Sequence, residues 1–335
     1  MTPPPPDPAA GDPDQVRLEL VGVAAGGPRL AVRHRAGPGR PFVLVHGLAS
    51  NARLWDGVAA ALHAAGHETL AVDLRGHGLS DAPPAGYDTD TCADDLAALI
   101  ARRGLTGGRA PVVAGQSWGG NVVLSLAARH RGSVAALACV DGGWIRLAGR
   151  FASFEDCWAA LAPPRLDHLR YADLATRIRA AYPRWPAAGV AGTLANLVEL
   201  PGGGVRARLA RDHHESIVRS LYEGDPAPCY PLVTEPALLV PALGPAAAPG
   251  EDGRAAAGRA AVLEALAALP DADVRWYPGA DHDLHAQHPL RLAADLLALA
   301  SRVPASAPTT PAPTPAPVPA PTPVPAPRSS EEPAR

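Results

Sequence analysis

The segment "PVVAGQSWGGNVVLSLAARH" (residues 111–130) decides how the rest of the chain is read. It opens on a short apolar run, passes through Gly115-Gln116-Ser117-Trp118-Gly119-Gly120, and continues with apolar residues at helical spacing. A serine in a flexible surface turn needs no such neighbours. A serine in a sharp strand-to-helix turn does, because glycines at 115 and 119 remove side chains that would collide there. Such a turn leaves the hydroxyl at its tip, facing the N-terminal amides of the following helix, where developing negative charge is stabilised. With a strand before it and a helix after it, Ser117 reads as a nucleophile.

On both sides of this segment, buried-strand and helix patterns alternate. "VRLELVGV" and "RLAVRHRA" form an opening antiparallel pair, and "PFVLVHG", "ETLAVDL" and "VAALACVDGG" read as strands separated by amphipathic helices. The rhythm stops at Trp144 and resumes near Glu235 with "PALLVPAL", the helix "AAVLEALAALP", the strand "VRWYPG" and the last helix "PLRLAADLLALA". This alternation predicts an α/β fold, a mostly parallel central sheet flanked by helices. Residues 16–143 and 236–302 form its core, and 144–235 form a helical insertion, or lid. The ends, 1–15 and the proline-rich 303–335, have no apolar runs and are expected to be disordered; the latter is a spacer or a tether to a partner.

Composition narrows the function. The net charge of −3 includes 30 basic residues, every one arginine, with no basic cluster to suggest nucleic acid or an anionic membrane as partner. No stretch is long and apolar enough to span a bilayer, and no signal-peptide pattern opens the chain. Cys92, Cys139, Cys157 and Cys229 match neither metal-ligand spacing nor a disulfide framework, so a reduced, cytoplasmic protein is the expectation.

Four landmarks in order, "HGLASNARLWD" (46–56), "DLRGHGLSD" (73–81), "GQSWGG" (115–120) and "GADHDLHAQHP" (279–289), resemble the α/β-hydrolase fold family, in its serine-nucleophile branch. The resemblance implies an oxyanion hole made by the backbone N–H groups of Leu48 and Trp118, whose side chains would shape the pocket. Ser117 needs a base. Among the twelve histidines, the resemblance points to His282, after the last strand. Asp281, Asp283, His285 and His288 around it are read as loop residues in preference to a metal site. The turn at 73–81 is read as structural. In "RDHHES" (211–216) the paired histidines are read as a solvated helix face, with a substrate contact as the alternative.

The family usually keeps its third triad member, a carboxylate that orients the histidine, just after the strand that follows the lid. Here "PALLVPALGPAAAPGEDGR" (236–254) offers only Pro, Ala, Leu and Gly until Glu251 and Asp252, several residues late. A second location occurs in some relatives, the end of the strand after the nucleophile helix. In this chain that strand ends in Asp141, which becomes the expected acid, with Asp252 and Glu251 as alternatives.

The resemblance therefore implies a hydrolase that transfers an acyl group to water, most simply from a small, apolar, ester-like substrate, with no metal and no organic cofactor. Trp144, Phe151, Phe154, Trp158 and Trp185 would line an apolar pocket or pack the lid. The rivals are a non-catalytic, receptor-like homologue, and a perhydrolase or carbon–carbon hydrolase on the same scaffold. Substrate identity and oligomeric state stay open.

Overall fold

The computed structural model describes residues 16–244 and 252–304; the tail expected at 1–15, all but the first two residues of the tail expected at 303–335, and Glu251 lie outside the described residues. One sheet holds eight strands: β1 (Arg17–Gly22), β2 (Arg29–Arg35), β3 (Gly39–Val45), β4 (His67–Val72), β5 (Val112–Gln116), β6 (Ala136–Val140), β7 (Ala237–Val240) and β8 (Ala272–Val274). Their order is β1-β2-β4-β3-β5-β6-β7-β8. β2 runs antiparallel to both neighbours and every other pair is parallel.

The central strands are apolar on both faces because helices cover both. Phe42, Leu44, Val112, Ala114, Ala136 and Ala138 point to one side, where α1 (Asp56–Ala64) and α10 (Pro289–Ser301) pack. The alternate residues Val43, Val45, Val113, Leu137 and Cys139 point to the other, against α2 (Thr89–Arg102), α3 (Trp118–Arg129) and α8 (Asp252–Ala268). Each leucine buried this way contributes about 1.5–3 kcal/mol. Asp88 caps α2, its carboxylate accepting from the Thr91 amide at 2.8 Å.

Between β6 and β7 the chain leaves the sheet and forms α4 (Phe154–Leu161), α5 (Tyr171–Ala181), α6 (Ala187–Leu194) and α7 (Arg211–Glu223). This insertion is not wholly helical. Leu197–Glu199 and Val205–Ala207 pair as an antiparallel hairpin, closed by a turn through the Pro-Gly-Gly-Gly run at 201–204. His214, Ile217, Val218 and Leu221 form the buried stripe of α7, at the 3,1,3 spacing of one helix face. Phe154 meets Tyr222 edge-on and Trp158 meets His214 edge-on, so both aromatics join α4 to α7.

The last strand also differs from its sequence pattern. In place of one run through 274–279, β8 ends at Val274, and Tyr277–Pro278 pairs separately with Ala242–Leu243. Pro241 sits between the two ladders and has no N–H to donate, so the sheet breaks there and restarts two residues later. A short helix, α9 (Leu284–Gln287), leads into α10. Among the described residues, no helix is long and apolar enough to cross a membrane.

One buried ion pair ties the turn after β4 to α2. Arg75 donates Nε–H and Nη2–H to the two carboxylate oxygens of Asp95, both at 2.7 Å, with each side chain 9 % exposed. Removing one partner strands the other charge in the interior. Asp95→Ala should lower stability by about 3–5 kcal/mol in urea unfolding; a loss under about 1 kcal/mol would show that water replaces the carboxylate.

Candidate active site

Ser117 stands between the last residue of β5 and the first of α3, with φ 55° and ψ −126°. Few side-chain-bearing residues adopt such a backbone, and it persists only where the surroundings over-determine it. Here they do. The Ser117 amide donates to the Val140 carbonyl at 2.9 Å, and its carbonyl accepts from Gly120 at 2.8 Å. A Cβ at Gly115 would lie 2.1 Å from the Gly119 carbonyl oxygen, so strand and helix meet only because 115 has no side chain.

The same device recurs at the end of β6. Asp141 has φ 46°, and its amide donates to the Val240 carbonyl at 2.9 Å. Its Oδ1 accepts from the Ala242 amide at 3.0 Å, just past Pro241. Its Oδ2 accepts from Nδ1–H of His282 at 2.5 Å. The other ring nitrogen, Nε2, accepts the Ser117 hydroxyl at 2.9 Å. Asp141, His282 and Ser117 thus form one hydrogen-bonded line across three loops at the carboxyl edge of the sheet.

The His282 loop is held at several points. The Gln116 side-chain amide donates to the His282 carbonyl at 3.0 Å, and the Gln287 side chain accepts from the Asp281 amide at 2.8 Å. Trp185 of the insertion donates its indole N–H to Asp281 at 3.2 Å. Burial opposes charging the His282 ring, but the hydrogen bond and charge of Asp141 outweigh it, and its pKa is raised. Its ring sits in a well of protein, yet 56 % of its side chain stays open to water. Asp283 lies beside it, its pKa raised by burial despite the nearby imidazole.

A second loop closes over the serine. A Cβ at Gly47 would lie 2.8 Å from the Ser117 Cβ, so this loop touches the elbow. Buried histidines pin it. His46 donates Nδ1–H to the Gly47 carbonyl at 2.7 Å and accepts from the Leu74 amide at 3.0 Å. His77 donates Nδ1–H to the Arg75 carbonyl at 2.9 Å and accepts from the Ala49 amide at 3.3 Å. The Asp73 carboxylate holds the Ala52 and Leu79 amides at 2.7 and 2.9 Å. Residues 73–81 are therefore a brace for residues 47–52. Among the described residues, the Leu48 and Trp118 amides donate to no protein acceptor.

Other expectations need correction. The Trp118 side chain, expected to shape the pocket, is fully buried, and its indole N–H donates to the Thr89 hydroxyl at 3.1 Å. "RDHHES" is no solvated face, because His214 is 6 % exposed and donates to the Leu161 carbonyl, and His213 stacks on Tyr87 at 4.0 Å. Asp252 begins α8, and Asp141 occupies the hydrogen bond to His282. Among the described residues, no three His, Cys, Asp or Glu side chains are grouped to hold a metal. Gln116 and Ala242 escaped the sequence reading, since nothing local marks residues that act by where the fold puts them, and Trp185, read as pocket or lid packing, also bonds the His282 loop through Asp281.

Comparison with known proteins fits this architecture. Residues 40–185 match the family model of the alpha/beta hydrolase fold. "AB hydrolase superfamily protein YisY" of Bacillus subtilis is 39 % identical over 97 residues, which are 29 % of this chain and only 35 % of that protein. The 2-(acetamidomethylene)succinate hydrolase of Mesorhizobium japonicum is 29 % identical over 256 residues, 76 % of this chain and 84 % of its own. A crystal structure of E-2-(acetamidomethylene)succinate hydrolase superposes with a TM-score of 0.67 at 24 % identity, covering 86 % of this chain and all (100 %) of that one. The chain has the α/β-hydrolase fold.

The buried histidines make stability depend on pH. Desolvation lowers the pKa of His46 to about 4 and of His77 to about 3, against partial compensation from their carbonyl partners. His285, with no hydrogen-bond partner, is lowered to about 3 by the same cause. Each is neutral when folded and takes up a proton when unfolded below about pH 6.5. Their contribution is complete above that value and is lost as pH falls towards the folded pKa. Between pH 6.5 and 5, stability should drop by up to about 1.4 kcal/mol per unit for each fully buried histidine. Urea midpoints at pH 7 and pH 5 test this, and an unchanged midpoint would contradict it.

Proposed function

We propose that this protein is a serine hydrolase that transfers an acyl group from a small ester-like substrate to water. The observation that supports this most is the line Asp141–His282–Ser117, which ends at a hydroxyl beside two uncommitted backbone amides. In this reading His282 Nε2 takes the Ser117 proton as Oγ bonds to the substrate carbonyl carbon. The carbonyl electron pair moves onto oxygen, where the Leu48 and Trp118 amides meet it. Asp141 stabilises the imidazolium, which then gives its proton to the leaving alcohol as the carbon–oxygen bond breaks. Water repeats the sequence, His282 taking its proton, and the acid and Ser117 are released.

Asp141 rather than Asp252 or Glu251 is the acid in this proposal, because its carboxylate is already spent on the Ala242 amide and the His282 ring, one oxygen each. The insertion, which reaches the His282 loop through Trp185, would govern access and substrate choice. The relative from Mesorhizobium japonicum is named for a small organic acid derivative, which agrees with a small-molecule substrate.

Hydrolysis of short-chain p-nitrophenyl esters tests the proposal. Ser117→Ala should lose roughly 10³-fold or more in kcat, and Asp141→Asn a comparable factor, each still folded. A folded Ser117→Ala that retains wild-type turnover would refute it. A non-catalytic, receptor-like homologue would show no turnover and would resist a fluorophosphonate.

The pH profile gives a second check. A general base works only when neutral, and the His282 pKa is raised, so kcat/KM should fall on the acid side from a pH above the ordinary histidine value of about 6.5. Asp141→Asn removes the two largest raising interactions and leaves burial opposed by the charge of Asp283, so the acid limb of its residual activity should move to lower pH. A limb that stays in place would separate Asp141 from His282.

A further inference from the structure

The two edges of the main sheet differ. β8 is three residues long, and Arg302 pairs with Asp271 and Asp273 beside and within it. A short, charged edge of this kind is a poor template for another strand. β1 lacks these safeguards. It runs six residues with no proline and no bulge, and Leu18 and Leu20, on one face, are 51 % and 50 % exposed.

Hydrogen-bond phasing shows which backbone groups β1 leaves open. The Val23 amide donates to the Pro28 carbonyl at 3.1 Å, and the register continues unbroken to Arg17 opposite His34. In an antiparallel ladder every second pair exchanges bonds, so Val23, Val21, Glu19 and Arg17 turn their backbone groups towards β2. On the other side of β2 the Ala31 carbonyl accepts from the Asp73 amide at 2.9 Å, and Ala31 stands opposite Leu20, which gives the same phase. Gly22, Leu20, Leu18 and Val16 therefore point their backbone groups away from β2. Since β1 ends the strand order, no strand among the described residues meets them.

We propose that a second copy of this chain occupies this edge, β1 pairing antiparallel with β1 of the other copy about a two-fold axis at Leu18. A strand that pairs with itself must complement itself, and one register does so. With Leu18 opposite Leu18 of the second copy, Val16 faces Leu20 and Arg17 faces Glu19, each pair occurring twice. The open backbone groups of Val16, Leu18 and Leu20 are then the ones that exchange bonds. One face of the joined strands carries an apolar row, and the other carries two pairs of opposite charge. Arg17 is exposed and makes no ion pair among the described residues. The Glu19 carboxylate accepts from His34 at 3.1 Å and from Arg103, yet stays 32 % exposed. A shift of two residues sets Glu19 against Glu19 in one direction and Arg17 against Arg17 in the other. Like charges so placed repel, and a shift of one residue mixes the two faces.

Ser117, at the end of β5, is four strands from β1, roughly 19 Å at the usual spacing. Pairing thus leaves each site whole in its own subunit, and the proposal stands independently of the hydrolase reading.

Sedimentation equilibrium of the full chain over a concentration series tests it. The mass should rise from that of one chain towards that of two. Arg17→Glu sets like charges opposite one another and should weaken association by roughly tenfold or more, with Tm and ester turnover unchanged. Leu18→Pro deletes the N–H at the axis, which faces away from β2, and should weaken it as much. Oxidative crosslinking reads the register in a Cys229→Ser background, the other three cysteines being buried. Leu18→Cys should give a disulfide-linked dimer, because bonded partners have Cα atoms about 5.5 Å apart. Leu20→Cys should not, because Leu20 and its copy stand roughly 14 Å apart. A monomer at every concentration, the result if residues 1–15 or 305–335 of the same chain cover the edge, overturns the proposal. So does a dimer that Arg17→Glu leaves as tight as the wild type, or equal crosslinking at the two positions. If Leu18→Pro does not fold, Arg17→Glu and the crosslinks decide.

Discussion

The left-handed backbone of Ser117 is the constraint from which the rest of the site follows. A serine with φ 55° between a strand and a helix costs on the order of 1–3 kcal/mol. The chain holds it there by letting β5 and α3 approach through Gly115 and by tying the Ser117 amide to the end of β6. Ala49 and Asp141, with φ 56° and 46°, are the other described non-glycine residues at positive φ, and they stand in the loops after β3 and β6. Strain is therefore gathered in the loops at the carboxyl ends of β3, β5 and β6.

The arrangement after β6 explains why the segment after β7 can do without an acid. The Asp141 amide is bonded to Val240 and its carboxylate to Ala242, so the carboxylate is oriented by two points on the neighbouring strand and its extension. Pro241, which breaks the ladder between β7 and β8, leaves the Ala242 amide free to turn towards Asp141. The short pairing of Ala242–Leu243 with Tyr277–Pro278 then delivers the His282 loop to the same spot. An ordinary rule of strand pairing, that proline cannot donate, serves here to couple acid and base.

Much of this was legible in the sequence, and the parts that were not share a cause. Strands buried on both faces and amphipathic helices announce themselves by period, which is why β3 to β7 and α1 to α3 stand close to where the pattern puts them. Ser117 and Asp141, chosen by motif and by place after strands, each hydrogen-bond to His282, one at either ring nitrogen. The insertion resisted because its hairpin is three residues per strand and closed by glycines, too short for alternation to show. His213 and His214 looked solvated because charged residues flank them, yet the stripe through Ile217 and Val218 turns His214 inward. The brace made by His46, His77 and Asp73 could be recognised as a turn from sequence. Its hold on residues 47–52 is a long-range relation that spacing alone does not encode.

The account turns on whether Asp141, through His282, activates Ser117. Reaction with a fluorophosphonate, followed by peptide mapping, measures that activation without any knowledge of the substrate. The account predicts a single adduct on Ser117 in the wild type, formed far more slowly in a folded Asp141→Asn variant. An adduct elsewhere, or labelling of Asp141→Asn at the wild-type rate, would contradict it.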